Sequence, residues 1–308
     1  MAQTVEVGTS TPEHTFAIFS VDNHTELGIN DGVENHIPDF TRMLYWDNLI
    51  PLLCYFLLWY SINTLVTMHC WTTYQEGIKR RRLINVTTSL IHSSVSGIFL
   101  FVYFCRNTRL MFDSPLYYYN YYESQIVLLS IGYFIYDAYD LLVYDKLSIA
   151  TGVLLFHHAA SVFVLTSAIV SRKFLIYAYW ALLMEVSSIF LHSRSLLHIS
   201  KLSTTTMITF SNIISYMNIA CFVVFRFLVQ VFLCGWAWYN RHHIHSFYVW
   251  IAFGGGTAFL LINIGLFLRI LNSDGLLCSS VVQKERLDAL LDDNEYTQSV
   301  TERKELLV

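Results

Sequence analysis

The chain has 308 residues, of which 55% are hydrophobic and only 14% charged, with 22 Phe and 20 Tyr. Soluble domains average roughly 25% charged residues, so this is a membrane composition, and a net charge of −4 excludes the basic excess of a nucleic-acid binder. Six cysteines lie in or beside apolar runs without C-x-x-C spacing, which argues for small buried apolar residues and against a disulfide or metal framework.

Residues 1–45 carry seven acids and one base, the pattern of an acidic, loosely ordered tail. No basic n-region with a short apolar core opens the chain, so the first hydrophobic helix is expected to act as the membrane signal. Asn23-His24-Thr25 is a glycosylation sequon in this tail.

Seven runs then reach the roughly 20 residues needed to cross a bilayer: 49–71, 83–105, 124–144, 149–170, 174–191, 206–233 and 247–271. Nothing in the hydrocarbon satisfies an open backbone, so runs this long without period-two alternation are helices. The third and fifth are the weakest, each being interrupted by acids. After the first span comes Lys79-Arg80-Arg81-Arg82, which by the positive-inside rule places that elbow in the cytosol. The N-terminus is then lumenal or extracellular and the C-terminus cytosolic. A second sequon, Asn85-Val86-Thr87, falls at the cytosolic membrane edge and is expected to be silent.

In the second span Ser93 and Gly97 form a small-xxx-small edge suited to close helix approach. The following loop holds Pro115 and then LYYYNYYE, whose five tyrosines read as an aromatic belt at headgroup level, with a ligand-binding lip as the other reading. The third span carries Asp137 and Asp140, three residues apart and therefore on one helical face with Tyr133 and Tyr144. They form either a carboxylate pair lining a cavity or a pair close enough to the cytosolic end to reach water.

The fourth span, VLLFHHAASVFV, holds His157 and His158 near its centre. A polar side chain at mid-membrane must face a bundle interior or wet cavity, which makes it a functional candidate. Adjacent helix positions point about 100° apart, so the two imidazoles cannot share one small target. His157 lies with Leu154 and Ser161, His158 with Val162 and Leu165. That division suits one general base and one orienting or oxyanion-contacting group and disfavours a two-histidine metal site, which needs i,i+4 spacing.

Glu185 in the fifth span shares a face with Ser188, Ile189 and His192, and must be paired or neutral to sit in hydrocarbon. Arg226 in the sixth span is its expected cationic partner; a lipid phosphate or snorkelling to an interface are the other roles open to it. The last span carries Gly254-Gly255-Gly256 between Ala252 and Ala258, again suited to close packing. Residues 281–308 carry seven acids and four bases and form a second acidic tail, with a short surface helix expected around Leu287, Leu290 and Leu291.

In this order, IHSSVSG, DSPLYYYNYYESQIVLLSIGYFIYDAYDLL, HH, LLMEVSSIFLHSR, FR and WYNRHH resemble the TLC-domain family. The likeness covers about Leu83 to Asn272 and is nearest the subgroup of TLC domain-containing proteins one and two, with ceramide synthases more distant. It implies an all-α polytopic membrane protein of about seven helices, six forming a helical barrel around a membrane cavity. The implied layout is a tail to residue 45, a first helix over 46–78, the TLC domain over 79–275 and a cytosolic tail over 276–308.

His157 and His158 match the pair that, in ceramide synthases, serves acyl transfer from acyl-coenzyme A. At the place of the His-Asp-x-x-Asp signature this chain instead has Met184, Glu185 and Ser188. The subgroup implies regulation of membrane phospholipid acyl composition, limiting polyunsaturated chains, chiefly at the plasma membrane, with the endoplasmic reticulum as the other compartment. The catalytic candidates are thus His157 and His158. Asp137, Asp140, Glu185 and Arg226 are cavity or orienting candidates, and Asn23 is the glycosylation candidate. The partners are membrane lipids, with acyl-coenzyme A as donor on the enzyme reading. Seven spans alone would also suit a receptor, which leaves the central His-His pair and internal acids unexplained.

Overall fold

The computed structural model describes residues 32–75, 77–113, 115–144, 148–201 and 207–273. Asn23 and the expected helix near Leu287 lie outside the described residues. Among the described residues, seven helical spans are long and apolar enough to cross a membrane. They are α1 (Trp46–His69), α2 (Ile78–Arg106), α4 (Tyr121–Tyr144), α5 (Ile149–Ser171), α6 with α7 (Leu175–Leu182, Glu185–Ile199), α8 with α9 (Ile208–Phe222, Val229–Tyr239), and α10 with α11 (Ser246–Trp250, Gly256–Ser273). A short α3 (Thr108–Asp113) joins α2 to the tyrosine-rich loop.

Six spans from α2 onward form the barrel, and α1 packs outside it against α4 and α2. Two glycines let helix backbones approach closely. A Cβ on Gly97 would stand 3.0 Å from the Val186 backbone nitrogen, and one on Gly132 would stand 2.9 Å from Tyr55 Cβ. The Ser93/Gly97 edge therefore brings α2 onto α7. In the last span only Gly256 is pressed, against Gln230 and Cys234, whereas Gly254 and Gly255 face open space. The expected tight triplet is thus reduced to one residue.

Three spans are interrupted inside the membrane. The fifth tightens at Leu183–Met184, where Met184 and Val186 N–H donate only three residues back, to Ala181 O and Leu183 O. Glu185 consequently opens α7, and a helix N-terminus favours a carboxylate. The sixth and seventh contain π-helical turns at Val223–Leu228 and Ile251–Gly255, an irregularity that often re-aims side chains at functional sites.

Two expectations need correction here. Of the five loop tyrosines, Tyr121 and Tyr122 are exposed as a belt requires, but Tyr118 and Tyr119 are buried. The Tyr118 hydroxyl joins that of Tyr103 in donating to Glu123, at 2.9 and 2.8 Å, because a half-buried carboxylate draws nearby donors. None of the five described cysteines is fully buried either: Cys70, Cys221 and Cys234 are half-buried, and Cys54 and Cys105 are exposed, where a thiol contacts lipid as readily as core.

Candidate functional site

Inside the barrel lies a cavity of about 1100 Å³, its mouth included. Four spans supply most of the wall, and Phe134 of α4 adds to it. α5 presents His157 and Ser161, the α6–α7 junction Met184 and Glu185, the sixth span Arg226 and Gln230, and the last span Gly255, Gly256 and Phe259. The remaining lining is largely apolar, with Leu165, Ala178, Ala181, Leu182 and Leu233 among it. Most small-molecule sites share this plan of apolar walls with a few convergent polar groups.

His157 and His158 diverge as helical geometry requires. His157 faces the cavity, its ring edge-on to Phe259 at 4.9 Å and its buried Nδ1 without a hydrogen-bond partner among the described residues. Ser161, its neighbour one turn on, donates its hydroxyl to the His157 carbonyl at 2.9 Å and so is tied to its own helix. His158 turns to α4, with Nδ1 3.2 Å from Asp137 Oδ2, within ion-pair reach although not aligned for a hydrogen bond.

Asp137 and Asp140 do not line the cavity. Asn85 on α2 donates to both, at 2.9 Å to Asp137 and 3.4 Å to Asp140. Asp140 also pairs with Arg81 of the basic elbow and accepts from the Tyr136 hydroxyl at 3.4 Å. Arg81 in turn lies over the Tyr144 ring at 3.6 Å. The reading of a pair lining the cavity therefore fails for both acids: Asp137 backs His158, and Asp140 pairs with the basic elbow. The Asn85 amide is engaged inside the bundle.

Glu185 reaches the cavity but does not pair directly with Arg226. Its carboxylate accepts from Ser93 at 2.6 Å and lies 3.8 Å from His92 Nδ1. Arg226 instead donates through Nε to Ser187 at 2.7 Å, and through its two terminal nitrogens to Asn263 at 2.8 Å and Ser188 at 2.9 Å. The expected salt bridge is replaced by neutral acceptors because the break before Glu185 puts Ser187 and Ser188, not the acid, opposite the guanidinium. Five N–H groups make a guanidinium, and these three contacts leave it donors to spare at the cavity wall.

His92 is the residue that the sequence reading passed over. It is fully buried, stacked on Tyr133 at 3.9 Å and 9°, with Nε2 3.3 Å from the Ser130 hydroxyl. The signal was present in IHSSVSG: a mid-span histidine bears the same cost in hydrocarbon that singles out His157.

Residues 82–272 match the family model described as TLC domain. Among curated relatives, TLC domain-containing protein 2 of Danio rerio is 32% identical over 190 residues, covering 62% of this chain and 75% of its own length. TLC domain-containing protein 1 of Gallus gallus is 30% identical over 198 residues, 62% of this chain and 73% of its own. TLC domain-containing protein 2 of Homo sapiens is 29% identical over 190 residues, 62% of this chain and 70% of its own. No solved structure matches.

Proposed function

This chain belongs to the TLC-domain family, and from that premise we propose that it regulates the acyl-chain composition of membrane phospholipids, limiting polyunsaturated chains, by holding one acyl chain in its cavity. The observation that carries this reading is a cavity inside the barrel whose walls are largely apolar and which His157, Glu185 and Arg226 line together. Hydrocarbon fits the walls, and a carbonyl or phosphoryl oxygen fits the donors left on Arg226. Walls fixed on four helices select a straight chain over one bent by several cis double bonds, since packed interiors do not deform continuously. In this reading the Lys79–Arg82 elbow faces the cytosol, the N-terminal face is lumenal or extracellular, and the plasma membrane is the working compartment.

A second reading is histidine-dependent acyl transfer from acyl-coenzyme A to a lipid amine or phospholipid. It is favoured by the Nδ1 of His157 at the cavity wall, which has no hydrogen-bond partner among the described residues and suits a general base. His158 and Asp137 would then hold the helix face behind it.

One experiment addresses both. Protein reconstituted in nanodiscs is exposed to a photoactivatable saturated acyl chain and, separately, to labelled acyl-coenzyme A. Ala178 lines the cavity and is 1% exposed, so Ala178→Phe narrows it while leaving His157, Glu185 and Arg226 in place. Photolabelling is expected to fall about tenfold, the equivalent of ~1.4 kcal/mol. Equal labelling of the parent and the narrowed variant counts against the cavity as the binding site. Product formed by the parent and lost in His157→Ala favours the transfer reading over binding alone.

A further inference from the structure

The barrel is closed unevenly. Around most of it polar side chains fasten one wall to the next: Asn85 joins α2 to α4, Asp137 on α4 faces His158 on α5, Ser93 joins α2 to α7, and Arg226 joins the sixth span to α7 and α11. The seam that closes the ring, between α5 and the last span, is built differently. α5 packs its backbone along α4 but has no comparable run of backbone approaches to the last span among the described residues. At one end of the seam the Ser171 hydroxyl faces that of Tyr248. Further along, rings bridge it.

His157 meets Phe259 edge-on at 4.9 Å, and Phe163 meets Phe247 at 6.0 Å. Phe40, from the segment before α1, wedges into the second pair, stacked on Phe163 at 5.4 Å and edge-on to Phe247 at 6.2 Å. Lipid tails are as apolar as these rings, so a bilayer supplies no hydrophobic force to hold them together. Both edges of the seam line the cavity, with Ser161 and Val164 on α5 and Ala252 and Gly255 on the last span. The second edge is also pliable. It holds the π-helical turn Ile251–Gly255, and a Cβ on Gly254 or Gly255 would meet nothing within 4 Å. Such turns and small-residue pairs are where helices bend.

We propose that this seam is a side portal through which a phospholipid resident in the bilayer threads one acyl chain into the cavity, its second chain staying in the lipid. Phe259 is the leaf that parts from His157, and Phe40 clasps the seam at Phe163 and Phe247. The proposal rests on the acyl-chain reading of the cavity and names the ligand as an intact phospholipid. Threading past Phe259 brings the ester of the inserted chain to His157, the histidine that stands both on the seam and on the cavity wall.

Phe163→Cys/Phe247→Cys in nanodiscs tests the portal, because neither residue lines the cavity and a disulfide between them holds the two edges together. The probe is a phosphatidylcholine with a diazirine on one chain. Labelling is mapped by mass spectrometry to Ala178 and Leu182, cavity-lining residues that are 1% and 4% exposed. Reduced protein is expected to label there, as is oxidised Phe163→Cys alone. Oxidation of the double variant before the probe is added is expected to lower labelling about tenfold. Oxidation after loading is expected to retain the probe against excess unlabelled phospholipid.

Equal labelling before and after oxidation, or escape of the preloaded probe at the reduced protein's rate, overturns the portal and leaves the acyl reading standing. Labelling by a water-soluble diazirine fatty acid but not by the phospholipid overturns the phospholipid as ligand and likewise leaves the cavity an acyl site. Labelling by neither overturns the acyl reading and the portal together. Phe259→Ala needs no disulfide: it is expected to exchange bound probe for unlabelled phospholipid about tenfold faster than the parent, and an unchanged rate overturns the leaf.

Discussion

Arg226→Ala is expected to lower folding stability by about 3 kcal/mol, the scale of removing one partner from a buried charged network. The guanidinium ties the sixth span to α7 through Ser187 and Ser188 and to α11 through Asn263, so one side chain holds three barrel walls. Its loss leaves the Asn263 carbonyl oxygen without its donor in a residue that is 1% exposed, and an unsatisfied buried acceptor alone costs about 1–3 kcal/mol. Arg226→Lys keeps the charge but offers a single ammonium in place of a planar fork. It is expected to recover less than half of the loss. Unfolding by SDS titration in mixed micelles measures both, and an alanine variant as stable as the parent would show that the three walls are held by other contacts.

The second large effect lies at Gly97. An alanine Cβ there would meet the Glu185 carbonyl carbon at 3.1 Å and oxygen at 3.2 Å, as well as the Val186 nitrogen, all of them backbone. Backbone cannot rotate away, so Gly97→Ala is expected to cost about 2 kcal/mol through overpacking and to push α2 from α7. The displacement acts at the Ser93–Glu185 hydrogen bond, one turn along α2. Gly132→Ala meets Tyr55 Cβ at 2.9 Å and the Phe56 nitrogen at 3.1 Å and is expected to cost a similar amount. It sits where α1 packs outside the barrel, so acyl-chain photolabelling should persist wherever the protein remains folded. Gly256→Ala meets the tips of Gln230 and Cys234, flexible side chains that can turn aside, and is the mild control. Equal loss of labelling for Gly97→Ala and Gly132→Ala at matched folded fraction would contradict the placing of Glu185 at the site.

The fold was legible because the bilayer admits so few solutions: seven apolar runs of sufficient length could only be helices. The ends were less so. The fifth span continues to Ile199 rather than stopping at 191, because Arg194 turns inward and donates to Ser273 at 3.1 Å. The break at Leu183–Met184 carries neither proline nor glycine, so no local chemistry announced it. At the site, relations within one helix were readable, and the 100° between His157 and His158 correctly separated their faces. Relations between helices were not. That His158 meets Asp137, that Asn85 joins the two aspartates, and that Arg226 prefers two serines and Asn263 to Glu185 depend on how each helix is rotated about its axis, which the packing of its whole face decides. His92 was missed for a simpler reason: unlike His157, it has no adjacent histidine to draw the eye, although the same desolvation argument applies to it.

The central claim, that the cavity faced by His157 controls phospholipid acyl composition, is tested most directly by lipid mass spectrometry. Cells lacking the protein are supplied with polyunsaturated fatty acid and complemented with the parent chain, with Ala178→Phe, or with His157→Ala/His158→Ala, each at matched surface expression. The account predicts that the parent lowers the polyunsaturated share of membrane phospholipids and that neither variant does. Restoration by Ala178→Phe and by the double histidine variant to the level of the parent would contradict it.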